Sequence, residues 1–140
     1  MKKKKQKTLA ALKKIAWAKL SLLVRLDHAT KEGHCRCVTC GRRDHWTLLQ
    51  AGHAIGGRHA AVLFDEDLIY PQCIRCNIFL RGDYGNYALF LIKKHGRKWY
   101  EQKQEQSKRM VKEGRAEMLE RIDGYNERLE SHRNKHLRKP

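Results

Sequence analysis

Leu9, Leu12, Ile15, Ala16, Leu20, Leu23 and Leu26 recur every three or four residues, with lysines between them. That spacing gathers the apolar side chains on one stripe and predicts a helix over residues 8–30. Thr8 is placed to cap its start, and Gly33 lies just past its end. Beyond it, "CVTCGRRDHWTLLQAGHA" reads as a turn followed by a strand through Trp46–Ala51. "GGR" at 56–58 reads as loop and "AVLF" at 61–64 as a short second strand. Helical spacing returns from Cys73 to about Leu80, in "NYALFLIKKHG" up to Gly96, and from Trp99 almost to the end. There Val111, Met118, Ile122, Tyr125 and Leu129 form an a/d-like stripe, interrupted by Gly124. A stripe this short fits packing against the core or pairing of two chains. The pattern as a whole is α+β, with short strands at the centre and long helices at both ends.

Charge follows the same division. Residues 1–34 carry ten Lys and Arg against two Asp and Glu, residues 35–92 six against five, and residues 93–140 fifteen against eight. The chain totals +16. Three parts result: a basic N-terminal arm and helix over 1–34, a core over 35–96, and a basic helical extension over 97–140. Such an excess of cations points to a polyanionic partner. No run of eighteen apolar residues occurs, so no membrane partner is expected. The opening "MKKKKQKTLAALKKIAWAKLSLLV" imitates a signal peptide, but Lys13, Lys14 and Lys19 interrupt its apolar part. A cytoplasmic location is the expectation.

All five cysteines lie in the near-neutral centre. Cys37 and Cys40 stand two residues apart, as do Cys73 and Cys76, with 32 residues between the pairs. Two such pairs offer the closed tetrahedral sulfur set that structural zinc prefers. Gly41 follows the first pair, where a knuckle turn calls for positive φ. Cys35 is left over: it could replace Cys37 as a ligand, but its longer spacing to Cys40 is less favoured and a spare thiol is the expectation. Clustered spacing of this kind suits a reducing compartment and a metal rather than disulfides.

A zinc site by itself accounts for neither His53, at the end of the first strand, nor Asn77, directly after the second pair. The order of knuckle, strand ending in His, loop, strand, knuckle and Asn on a helix resembles the HNH endonucleases. More closely, "CRCVTCG", "HWTLLQAGH", "FDEDLIYPQCIRCNIFLRGDY" and "HGRKW" resemble the phage NinG (Rap) recombination nucleases over roughly residues 10–105. Similarity to phage endonuclease VII is confined to the zinc and catalytic core. These resemblances imply a small zinc-stabilised ββα-metal core with long flanking basic helices. They also imply cleavage of branched DNA such as Holliday junctions and D-loops, in the host cytoplasm if the chain is phage-encoded.

The residue types suit that chemistry. Phosphodiester hydrolysis needs a base for water and a cation at the leaving oxygen. A histidine is largely neutral at pH 7 and can accept the proton, which gives His53 the role of base. Magnesium or manganese favours hard oxygen donors, and the Asn77 amide oxygen is one. Many HNH members carry Asp just before the base, whereas this chain has Gly52. His59 is the leading substitute as second ligand, with Gln50 and Asp65 as alternatives. Arg58, Arg75 and Arg81 are candidates for holding phosphates. No base-reading module is recognisable, so little sequence specificity is expected. Paired nicks across a four-way junction would suit a homodimer. The other readings are an HNH endonuclease of ordinary duplex and a non-catalytic zinc DNA-binding protein, which would not need His53.

Overall fold

A computed structural model describes residues 2–57 and 59–137. Among them are four α-helices and two two-stranded antiparallel sheets, as the α+β pattern predicts. The chain separates into two compact units. One takes residues up to Leu23 together with those from Lys112 on, and the other takes residues 24–111.

In the first unit, α1 (Leu9–Asp27) begins where expected, the Thr8 hydroxyl accepting the Ala11 N–H at 3.2 Å. Leu12, Ala16, Leu20 and Leu23 of its stripe are buried. The C-terminal helix, here α4 (Arg115–Leu137), opens on a cap in which Gly114 N–H donates to the Glu117 carboxylate at 2.9 Å. Met118 and Tyr125 are buried within this single chain, and Ile122 and Leu129 are half-buried. Val111 lies before the helix and is exposed, so the heptad-like stripe begins later than its spacing suggests. Arg121 grips the Glu113 carboxylate with two nitrogens, at 2.9 and 2.5 Å. The Arg115 guanidinium holds the Lys7 carbonyl.

The second unit carries the cysteines. β1 (His34–Arg36) and β2 (Arg43–His45) pair with Cys35 opposite Asp44, and the turn between them holds the first cysteine pair. β3 (Leu49–His53) pairs with β4 (Ile69–Cys73), Gln50 opposite Gln72 and His53 opposite Ile69. A π-helical turn (Arg75–Phe79) follows, then α2 (Tyr84–His95) and α3 (Arg97–Ser107). Ala54, Val62, Leu68, Tyr70, Tyr87 and Leu91 form one apolar core, and Leu49 joins four cysteines in a second.

Three expectations need correction. The partner strand is Ile69–Cys73, not "AVLF", which forms turns whose Val62 and Phe64 face inward. Pro71 falls inside that strand, and its carbonyl accepts from Val38 N–H, on the side away from β3. Its missing N–H therefore faces away from β3 and removes no bond of the β3–β4 ladder, so the proline is tolerated. The first strand starts later than expected, because His45 Nδ1 accepts the Thr47 N–H and turns Trp46–Leu48 into a 3₁₀ segment. The helix read as continuous from Trp99 is broken over 108–114. Ser107 Oγ donates to the Gln104 carbonyl at 2.6 Å, competing with the helical ladder.

Candidate functional site

Cys37 closes β1 and bonds across the turn, its N–H donating to Arg42 O and its carbonyl accepting from Gly41 N–H. Gly41 has φ +76°, the left-handed value that the knuckle requires. On the other side, Cys73 ends β4 and Cys76 N–H donates to the Cys73 sulfur at 3.5 Å. The four sulfurs of Cys37, Cys40, Cys73 and Cys76 lie within 4.8 Å of one another. Cys40 and Cys73 are 3.8 Å apart. A tetrahedron with bonds of about 2.3 Å has edges of roughly 3.8 Å. The tetrad thus has the spacing to hold a metal such as zinc.

Its protonation behaviour fits the same role. Burial pushes the Cys37 thiol up. Hydrogen bonds from Thr39 Oγ1 and from the backbone of Cys40, Cys73 and Thr39 outweigh that and bring it down to about 6. Burial pushes Cys76 up to about 12, aided by its sulfur neighbours and by the charge on Cys37. One thiolate is welcome here and further ones repel it, which is the conflict a dication resolves. Cys35 falls outside the tetrad. It is buried, donates to the Arg25 carbonyl at 3.7 Å, and has its thiol raised by that burial.

Beside the tetrad lies a group of amides. Asn77 sits in the middle of the π-helical turn and is not its cap. Its Nδ2 donates to Gln50 Oε1 at 2.7 Å, which leaves Oδ1 facing Gly52. Gln72, fully buried in β4, sends Nε2 to Gly82 O at 2.8 Å and to Thr39 Oγ1 at 3.2 Å. Thr39 also contacts the Cys37 sulfur at 3.4 Å, so the amides and the tetrad share one network. The other end of Gln72, Oε1, is buried with no hydrogen-bond partner among the described residues. It lies 2.0 Å from where a Cβ on residue 52 would be, and Asn77 Oδ1 lies 3.2 Å from the same point. Only glycine admits the Gln72 amide oxygen that closely.

His53 follows Gly52 directly. Its Nε2 is 3.0 Å from the Leu63 carbonyl, so in the neutral ring Nε2 carries the proton and Nδ1 the lone pair. Behind Gly52, the buried Tyr87 hydroxyl donates to its carbonyl at 2.7 Å. Burial keeps that hydroxyl protonated far above the usual tyrosine range. His53 and Asn77 are borne by the β3–β4 pair and the turn after it. His59 is exposed, with its ring against Gly57. Asp65 binds Lys103 at 2.7 Å. Arg75 and Arg81 are exposed on either side of Asn77 in sequence, and Arg58 lies outside the described residues.

A family model described as Bacteriophage Lambda NinG protein matches residues 1–136. The chain belongs to the NinG family. No curated protein and no solved structure matches it. None of the helices described in this NinG-family chain is long and apolar enough to cross a membrane. Sequence reasoning passed over Gln72 and Tyr87 here. A glutamine inside "IYPQC" carries no motif, and the one available signal was Gly52, whose missing side chain marks a close approach.

Proposed function

We propose that this NinG-family chain is a metal-dependent endonuclease of branched DNA recombination intermediates such as Holliday junctions and D-loops. The observation that carries this reading is the placing of His53 and Asn77 on one hairpin and its following turn, anchored by the cysteine tetrad. In this reading β3, β4 and the π-helical turn are the ββα-metal core of an HNH-type enzyme, and zinc is its structural metal.

Each residue has a task that its surroundings support. With Nε2–H committed to Leu63, His53 takes the proton of an attacking water at Nδ1. Gln50 holds the Asn77 amide so that Oδ1 is presented as a hard oxygen donor. A magnesium or manganese ion held there supplies positive charge to the phosphate and the leaving oxygen. Arg75 and Arg81, exposed nearby, offer planar forks to the flanking phosphates. The net charge of +16 gives long-range attraction without base reading, so little sequence specificity follows. Paired incisions on a four-way junction need two such sites, which a homodimer would provide.

Matched linear, Y-shaped and four-way DNA, incubated with magnesium or manganese at equal protein concentration, test the proposal. The branched substrates should be cut fastest. His53→Ala should lower cleavage by several orders of magnitude while DNA affinity stays near that of the unaltered chain. Equal cutting of all three shapes would favour a duplex endonuclease, and cutting of none would favour a non-catalytic zinc DNA-binding protein.

A further inference from the structure

We infer that Gln72 supplies a second oxygen ligand, beside Asn77, to a divalent cation bound at Gly52. The inference rests on the catalytic-metal reading above and extends it to a residue that lies outside every motif. Its starting point is an energetic oddity. A buried amide oxygen without a partner has given up its hydrogen bonds to water for nothing, so such atoms are rare unless something else meets them. Gln72 Oε1 is one, on a side chain with 0% exposure.

The orientation of that amide is dictated by its neighbours. Turned over, it would set Oε1 against the Gly82 carbonyl, oxygen to oxygen at 2.8 Å. Nε2 must therefore face Gly82, and Oε1 must face Gly52. Asn77 Nδ2 donates to Gln50 Oε1, which leaves Oδ1 on the Gly52 side. The two amide oxygens thus lie 2.0 and 3.2 Å from where a Cβ on residue 52 would stand, both on the face that Gly52 leaves bare. Neutral hard oxygens suit Mg²⁺, Mn²⁺ or Ca²⁺ and offer nothing to softer ions beyond what the sulfurs already provide. Asn77 is half-buried, so this pair of oxygens reaches the surface on the Asn77 side. Gln72 then fills the place for which His59, Gln50 and Asp65 are the sequence candidates. His59 lies exposed over Gly57, Gln50 is engaged by Asn77, and Asp65 by Lys103.

Manganese is the probe, on the full chain loaded with zinc. Substoichiometric Mn²⁺ should broaden the side-chain amide signals of Gln72 and Asn77 before any others in a ¹⁵N spectrum. Electron paramagnetic resonance should count one bound Mn²⁺. Gln72→Met and Asn77→Ala should each weaken that binding roughly ten-fold or more, with zinc content unchanged. A Gln72 amide that stays sharp while other groups broaden overturns the inference, even if Gln72→Met fails to fold. Retained Mn²⁺ affinity in Gln72→Met with loss in Asn77→Ala also overturns it and leaves the nuclease reading standing. Broadening of both amides in a chain that cuts no DNA upholds the cation site and refutes the nuclease.

Discussion

Gly52→Ala is the smallest change that should disturb the site. The added Cβ would sit 2.0 Å from Gln72 Oε1 and 2.9 Å from its Cδ, where ordinary contact begins at 3.4 Å. Gln72 cannot retreat freely, because Nε2 is bonded to Gly82 O at 2.8 Å and to Thr39 Oγ1 at 3.2 Å. Overpacking costs about 1–3 kcal/mol. Losing one of the two hydrogen bonds adds about 1 kcal/mol. We expect a loss of about 2–4 kcal/mol, a large share of the roughly 5–15 kcal/mol by which a domain is stable. Gln72→Ala should be costly too, since it leaves the Gly82 carbonyl without its partner. The double variant should be less damaged than the two losses combined, because each change removes the other's clash or fills its gap. The coupling should be about 1–3 kcal/mol. Urea unfolding of the four zinc-loaded proteins measures it through the midpoints, provided the slopes agree. Additive losses would refute the close approach of Gln72 to Gly52.

Cys73→Ser should release the zinc and impair folding, whereas Cys35→Ser should keep about one zinc per chain; elemental analysis with thermal melting decides. Tyr87→Phe keeps the ring but takes the donor from the Gly52 carbonyl, and should cost about 1–3 kcal/mol in urea unfolding; on the nuclease proposal it should also slow cleavage through the adjoining His53. Glu113 has its carboxyl held below the ordinary 4.5 by hydrogen bonding to Arg121, against burial, with the charges of Arg121 and Lys13 assisting. Its contribution is present above that ordinary value and lost as pH falls through the lower folded one. The stability gap between the unaltered chain and Glu113→Gln, about 1 kcal/mol at pH 7, should therefore shrink on acidification below 4.5.

The helix stripes were legible because burial on one face leaves a period in the sequence, and α1 and α2 follow theirs. The cysteine tetrad was legible because two ligands on one knuckle must be close in sequence. The partner strand was not. Its proline is permitted by a side of β4 turned away from β3, which is defined only once the two have paired, and "AVLF" has strand composition without a neighbour to pair with. The C-terminal stripe was half legible: Met118 and Tyr125 are apolar because they are buried, but periodicity does not say against what. Asn77 stood out by adjacency to Cys76, whereas Gln72 had nothing beside it to draw notice.

What holds Gln72 in place explains why the amide site and the metal tetrad share one stretch of chain. Arg81 and Asp83 have φ of +53° and +47°, on either side of Gly82 at +96°. Left-handed backbone at a residue with a Cβ costs about 1 kcal/mol or more, so two in one turn need a reason. The run folds the chain back so that Gly82 N–H reaches the Cys76 carbonyl at 2.9 Å while its own carbonyl takes Gln72 Nε2. One residue thereby ties a tetrad cysteine to the buried amide. Thr39 ties the same amide to Cys37 from the other knuckle. A metal on the sulfurs would therefore fix both partners of Gln72 Nε2 and, through them, the direction of Oε1. The strain in the turn is then offset by the folding energy of the tetrad, and the rigidity is delivered at Gly52, one residue before His53.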